Sequence, residues 1–309
     1  MDQPINEVNM LIFTIISTKG GEGKTTHSAN LGGLLADIGF RVLLLDADIQ
    51  PSLSRYYALS YQSPNGLTQL MRSGFLTPDC ISHCLLAPAS YTGKRAPQIL
   101  SEGLLHIVQS DTEDGKLQEW MATRNPMDLA FRLKRPLKQD AISSAYDIVI
   151  IDTQGAVGHL QDAAIMAADM LLVPVSPDMV SAREFISGTK KLIERHECVS
   201  NLGLTMPPMK AVLSRTENTT DCRQITQIIK ESFIDLSGRI TLLEAFVPAA
   251  VAYRKAATSQ VPVHWIDPVK ASDTMHRLLW ELIPSVEGLY APNHREFIDL
   301  NSATVSADQ

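Results

Sequence analysis

Residues 17–51 read STKGGEGKTTHSANLGGLLADIGFRVLLLDADIQP. Three glycines and two lysines fall within Lys19–Thr26, directly before a stretch of helical spacing, Lys24–Ile38, that stops at Gly39. An apolar, β-branched run, Met10–Ser17, precedes the glycines. A second strand, Arg41–Leu45, follows the helix, is continuously apolar from Val42 and ends at Asp46. Strand, glycine loop and helix in this order form the setting in which backbone N–H groups curl around phosphate. There Lys24 can reach the β- and γ-phosphates, and the Thr25 hydroxyl can bind Mg²⁺. The ordinary phosphate-loop pattern has glycine where Thr18 stands, so this loop is not of the ordinary form. Its extra lysine, Lys19, is one more than a phosphate site needs.

Outward from this stretch the chain alternates. Asp147–Ile151 is a strand ending at Asp152, Gln161–Ala168 a short helix, Met170–Val175 a strand and Ser181–Arg195 a helix. Lys210–Leu213 is a strand, Asp221–Phe233 a helix, Arg239–Val247 a strand and Ala271–Leu282 a closing helix. Between the second strand and Asp147, residues 51–101 read as loops and short helices, Leu104–Val108 as a strand and Pro126–Ser144 as one helix. The alternation predicts an α/β fold, a mostly parallel twisted sheet with helices on both faces. Continuously apolar strands fit a sheet buried on both sides. Ligands of such sheets bind at the carboxyl ends of the strands, where the glycine loop, Asp46, Asp48 and Asp152 all fall. Asp152 is placed to hold Mg²⁺ through water. Of Asp46 and Asp48, one can position an attacking water and the other can be structural.

The 309 residues are 45% hydrophobic, enough for a sizeable core, and the formal charge of −7 argues against a uniformly basic surface while leaving room for a local basic patch. Cys80, His83 and Cys84 are spaced as possible metal ligands but lack a fourth, so the cysteines read as reduced thiols of a cytoplasmic protein. The start, MDQPINEVNM, reads as no signal peptide, and the run Met10–Ile16 is too short to span a bilayer.

Five segments together resemble the ParA/MinD ATPases. KGGEGKTT looks like that family's deviant Walker A box, VLLLDADIQPS like the segment after its second strand, and YDIVIIDTQG like its Walker B. ADMLLVPVSPD resembles the strand that follows, and FVPAAVAYRKAATSQVPVHWIDP the C-terminal region of ParA. The resemblance runs from about residue 10 to 285 and implies a P-loop NTPase fold, ATP and Mg²⁺ as cofactors, and slow hydrolysis to ADP and phosphate. It implies a nucleotide site of Lys19, Gly20, Gly21, Glu22, Gly23, Lys24, Thr25, Thr26 and Pro248, metal held at Thr25 and Asp152, and Lys19, Lys24 and Asp48 as the catalytic groups. In that family the lysine matching Lys19 reaches the nucleotide of the other subunit, which gives the extra lysine a purpose. Three departures stand out: Ile49 replaces a usual proline, Asp152-Thr153-Gln154-Gly155 replaces a proline-containing segment, and Glu22 brings a negative charge into the loop, unless its side chain points outward.

Within the family, the ParA-type role is favoured: an ATP-bound homodimer that binds DNA non-specifically, is released by a ParB-like or other adaptor, and is cytoplasmic and nucleoid-associated. Arg223, Arg254, Lys255 and Arg277 are the candidate DNA contacts, with Arg254 and Lys255 expected away from the glycine loop. A MinD-like membrane role needs a basic amphipathic C-terminal helix, and the tail NHREFIDLNSATVSADQ is polar and acidic. A cluster-carrying role needs cysteines in places that these do not hold. The expected organisation is a short arm at 1–9, one ATPase domain at 10–290 and a polar tail at 291–309. No DNA-reading module is expected before residue 10.

Overall fold

The computed structural model describes residues 10–17, 19–86, 103–155, 158–200, 206–235, 240–296 and 298, with side chains at 196–200 and 232–235 left aside. The expectations for the arm at 1–9, for Thr18 and for the end of the tail lie outside these residues. Nine strands form one sheet: β1 (Leu11–Ile15), β2 (Arg41–Ala47), β3 (Leu59–Tyr61), β4 (Ser82–Cys84), β5 (Leu104–Val108), β6 (Ile148–Thr153), β7 (Met170–Val175), β8 (Met209–Thr216) and β9 (Ile240–Pro248). Their order is β3-β4-β5-β2-β6-β1-β7-β8-β9. The β5–β2–β6–β1–β7–β8–β9 ladders are all parallel, and β3 and β4 add an antiparallel edge.

The helices are α1 (Lys24–Ile38), α2 (Leu67–Ser73), α3 (Lys116–Ala122), α4 (Pro126–Ala130), α5 (Lys134–Leu137), α6 (Asp140–Ser143), α7 (His159–Ala167), α8 (Met179–Ser200), α9 (Thr220–Asp235), α10 (Val251–Ser259), α11 (Val263–Ile266) and α12 (Lys270–Leu282). Strands β2, β6 and β7 are buried almost end to end, as their unbroken apolar runs require once helices cover both faces. On one face α1 and α12 pack over Phe13, Ile15, Leu44 and Ile150. On the other, α2–α7 pack over Ile12, Leu43, Leu45 and Ile151. Successive strand residues point to opposite faces, so neighbours such as Leu44 and Leu45 serve different cores.

The expected helix at 126–144 is three short helices, α4 to α6. Pro136 explains the first break: in a continuous helix its ring would meet the carbonyl of Arg132 and it could donate no N–H there. Within 51–101, strands β3 and β4 are real but only three residues long, too short to show an alternating pattern. Residues 87–102 lie outside the described set. Helices α10 and α11 were likewise not foreseen. At the other end Ala291 is buried and its N–H donates to His276 Nε2 at 3.0 Å, so close packing continues past residue 290.

Candidate nucleotide site

Parallel pairing sets the site. Ile15 of β1 lies beside Asp152 of β6, and Asp152 beside Asp46 of β2. The glycine loop therefore leaves β1 next to two carboxylates at neighbouring strand ends. Gly21 and Gly23 have φ of 84° and 93°, left-handed conformations that glycine adopts without a Cβ penalty. Lys24, buried in the first turn of α1, reaches back across the loop to the Lys19 carbonyl at 3.5 Å. The Thr25 hydroxyl donates to Asp152 Oδ2 at 2.7 Å, and the Ser28 hydroxyl lies 3.0 Å from Oδ1. Burial pushes the Asp152 carboxyl up to about 6, against the opposing pull of Thr25, Lys24 and Ser28.

Asp46 and Asp48 now separate. Asp46 is fully buried, and its Oδ2 accepts both the N–H and the hydroxyl of Ser54 at 2.7 Å. Burial, with the charge of Asp152, lifts its carboxyl to about 7. Asp48 is half-buried, its carbonyl accepts the Ser110 hydroxyl at 2.5 Å, and its Oδ1 accepts the Gln50 N–H at 3.0 Å. Asp46 is thus an internal brace, and Asp48 the carboxylate open to an incoming group.

The segment after Asp152 has a steric reason for its composition. A Cβ on Gly155 would lie 2.8 Å from the Gly20 nitrogen and 2.9 Å from the carbonyl carbon and oxygen of Lys19. Gly155 lets the β6 segment back directly onto the phosphate loop. Ile49 is exposed, so the residue that replaces the usual proline carries no packing load.

Glu22 does not point outward. It is 5% exposed and runs under the loop, where Oε2 accepts the Ser176 N–H at 2.7 Å and Oε1 lies 2.7 Å from the Ser181 hydroxyl. Ser181 also lies 2.5 Å from Asp178 Oδ2. Burial would raise the Asp178 carboxyl, but the Ser181 hydrogen bonds and the charge of Lys19 hold it below its ordinary value. Lys19 lies over this cluster: its Nζ is 3.2 Å from Ser181 Oγ and 4.0 Å from carboxylate oxygens of both Glu22 and Glu184.

On the other side of the loop a cleft of about 460 Å³ is lined by Gly21, Gly23, Thr26, His27, Arg215 and Pro248. Pro248 lies in this cleft with the loop glycines. Two residues that were not foreseen tie the cleft together. His27 is buried, with Nδ1 at 2.8 Å from the Gly23 carbonyl and Nε2 at 3.1 Å from the Ser214 hydroxyl. The carbonyl can only accept, so Nδ1 carries the hydrogen and Nε2 accepts from Ser214. Burial lowers the His27 pKa, with the Gly23 contact opposing it. Arg215, at a positive φ of 57°, donates to the Gly21 carbonyl at 2.6 Å.

The four candidate DNA contacts do not converge. Arg254 lines the cleft beside Gly21 and Gly23, so it is not remote from the loop as expected. Arg223, on α9, donates to Asn218 at 2.8 Å, and Arg277, on α12, pairs with Asp273 at 2.9 Å. These two helices cover opposite faces of the sheet beside β9, and Lys255 stands exposed on α10. Nor do Cys80, His83 and Cys84 gather: Cys80 is buried beside Thr77, whereas His83 is exposed and stacked on His106 at 4.0 Å.

The family model described as an AAA domain matches residues 10–201. The chain belongs to the ParA/MinD family of P-loop ATPases. The "Probable plasmid-partitioning protein ParA" of Thermus thermophilus is 25% identical over 285 residues, 89% of this chain and 79% of that protein. The sporulation initiation inhibitor protein Soj of Bacillus subtilis is 26% identical, over 83% of this chain and 91% of its own. Two rhizobial relatives are longer, and the matches span 46% and 40% of their lengths. In fold, this ParA/MinD-family chain superposes on apo McdA of Cyanothece with a TM-score of 0.69 and 20% identity, over 88% of this chain and 99% of that one. MinD of Pyrococcus horikoshii, solved with Mg-ADP, gives 0.63 and 17% identity over 90% and 98% of the two chains.

Magnesium fits the donor set here. A hard cation takes oxygen ligands, and the Thr25 hydroxyl and the Asp152 carboxylate already meet at the phosphate end of the sheet.

Proposed function

We propose that the chain is a ParA-type ATPase that binds ATP with Mg²⁺ in the cradle Lys19–Thr26 and hydrolyses it slowly, as a single domain of cytoplasmic location. The contact that carries this reading is Thr25 to Asp152, beneath a loop whose left-handed glycines and curled-back Lys24 form an anion cradle. Backbone N–H groups of Gly20 to Thr26 hold the phosphates, Lys24 neutralises them, and the cleft at Pro248 and Arg215 takes the base. Thr25 and Asp152 hold the metal, which supplies charge neutralisation at the phosphates when bound. Asp48 orients the attacking water, a role that needs an accessible carboxylate and little covalent help. Glu22 contributes its backbone, because its carboxylate is committed to Ser176 and Ser181.

ATP binding is proposed to drive a homodimer in which Lys19 acts on the partner's nucleotide. The dimer then binds DNA without sequence preference and positions plasmid, mobile-element or chromosomal DNA, or another cargo. A ParB-like adaptor stimulates hydrolysis and release. The relatives named for plasmid partitioning and for Soj support the partition reading. DNA retention measured with ATP, with ADP and without nucleotide tests the reading. Retention confined to the ATP state supports it, whereas equal retention in all three states, or none, refutes it.

A further inference from the structure

Residues 116–138, KLQEWMATRNPMDLAFRLKRPLK, hold six basic and two acidic side chains in a protein of formal charge −7. Their apolar members Leu117, Met121, Leu129, Leu133 and Leu137 are buried under α2–α7, and this turns the basic members toward solvent. Three arginines are stationed on aromatic rings. The Arg124 and Arg132 guanidinium carbons lie 5.1 Å and 5.7 Å from the Trp120 ring centre, and that of Arg135 lies 5.6 Å from the centre of Phe131. Arg132 also donates to the Arg72 carbonyl at 3.4 Å, joining α2 to the same surface. Among the described residues none of these four arginines forms an ion pair, whereas Lys116 is paired with Asp114 at 2.8 Å and Lys138 with Asp169 at 3.3 Å.

We propose that Arg72, Arg124, Arg132 and Arg135, arrayed around Trp120 and Phe131, form a surface that binds the phosphate backbone of DNA. The proposal rests on the reading of the chain as a DNA-bound ATPase and gives that DNA a place. A guanidinium resting on an aromatic face is held in position while its N–H donors remain available for a phosphate. Elsewhere the net negative charge of the protein repels a polyanion, so a local cluster of unpaired arginines fixes where the duplex lies. Of the arginines first expected to contact DNA, Arg223 is engaged by Asn218 and Arg277 by Asp273, and Arg254 lines the cleft beside the glycine loop. The patch belongs to the sheet face opposite α1 and α10–α12, so changes there leave the phosphate loop and base cleft untouched.

The test uses the full chain with Mg-ATP and a short fluorescent duplex, followed by anisotropy across a salt series. Arg124→Gln with Arg132→Gln is compared with Arg223→Gln with Arg277→Gln. The first pair is expected to weaken binding about tenfold or more and to flatten the slope of log affinity against log salt by about 2, since each phosphate contact contributes about 0.9. ATP hydrolysis without DNA stays at the wild-type rate in that pair. Arg124→Lys with Arg132→Lys keeps the charge and so retains the salt slope, which also covers a Gln pair that folds poorly. Unchanged DNA affinity and slope in the Gln pair overturn the patch and leave the partition reading standing. Wild-type protein that binds no duplex in any nucleotide state overturns both. Patch-dependent binding to phosphatidylserine vesicles or polyglutamate, with none to DNA, overturns the proposal in favour of a membrane or an acidic protein.

Discussion

Lys19 and Lys24 sit five positions apart in one loop and live in opposite surroundings. Lys24 is 7% exposed and curls over the cradle to a backbone carbonyl. The Lys19 side chain is 35% exposed and lies among Glu22, Glu184 and Asp178. A cation whose hydrogen bond goes to a backbone carbonyl, with no carboxylate in direct contact among the described residues and only the Coulombic pull of Asp152, is held ready for an anion. A cation resting on carboxylates is already satisfied, and must exchange one set of partners for another before it can act elsewhere. Under the proposed function, the same residue type would serve as a fixed part of the phosphate site in one place and as a movable part in the other.

Lys24→Ala is expected to break the first half of this comparison outright. Removing a charge-assisted contact costs about 1.5–3 kcal/mol, roughly ten- to a hundredfold in affinity, and turnover should disappear with it. Calorimetry that finds wild-type ATP affinity in this variant refutes the cradle. Lys19→Ala should act on the other half: nucleotide binding persists, while the ATP-dependent dimer, read by light scattering, and turnover are lost. Glu22→Gln sharpens the contrast. It keeps the acceptor for the Ser176 N–H but removes one carboxylate from Lys19, so the dimer should form at lower protein concentration. The gain should stay within about fivefold, since a partly exposed ion pair is worth about 0–1 kcal/mol. A dimer weaker than wild type would show that the cluster positions Lys19 and does not retain it.

Gly155→Ala tests the wall that both lysines depend on. The new methyl would sit 2.8–2.9 Å from Lys19 and Gly20 backbone atoms, and overpacking of this kind costs about 1–3 kcal/mol. Thermal unfolding should move down by a few degrees and ATP affinity should fall together with it. Loss of stability with unchanged affinity would mean that the loop escapes the strain without changing shape.

Much of the phosphate end could be read from the chain because its chemistry is local. Lys19–Thr26, Asp46, Asp48 and Asp152 follow directly on apolar strands, and parallel pairing brings strand ends together. What stayed hidden depends on partners far away in sequence. Ser214 meets His27 across 187 residues, Arg215 meets Gly21 across 194, and Ser181 meets Glu22 across 159. Local spacing carries no trace of such contacts, which is why Glu22 looked like an intruder and Gly155 like a mere departure. A basic–aromatic run at 116–138 was visible in principle, but its arginines acquire meaning only when Pro136 breaks the expected helix and the chain folds Arg124 and Arg132 onto one tryptophan.

The smallest expected effect concerns Asp46, buried near the end of β2. Burial and the charge of Asp152 raise the Asp46 carboxyl to about 7 in the folded protein, whereas an unfolded aspartate has lost its proton well below that. Around neutral pH the folded state therefore binds more protons than the unfolded state, and linkage requires this group's stabilising contribution to be lost as pH rises through about 7. Between about pH 6 and pH 8 the loss amounts to about 1.4 kcal/mol. The buried histidines His27, His106 and His276 have lowered pKa values and push the other way, because the unfolded chain takes up their protons first. Wild type is therefore compared with Asp46→Asn, in which the histidine contributions cancel. Without nucleotide, the melting temperature of wild type relative to the variant should fall by a few degrees over this range. A gap between wild type and Asp46→Asn that stays constant with pH would mean that Asp46 is ionised throughout, with its three N–H and O–H donors outweighing its burial.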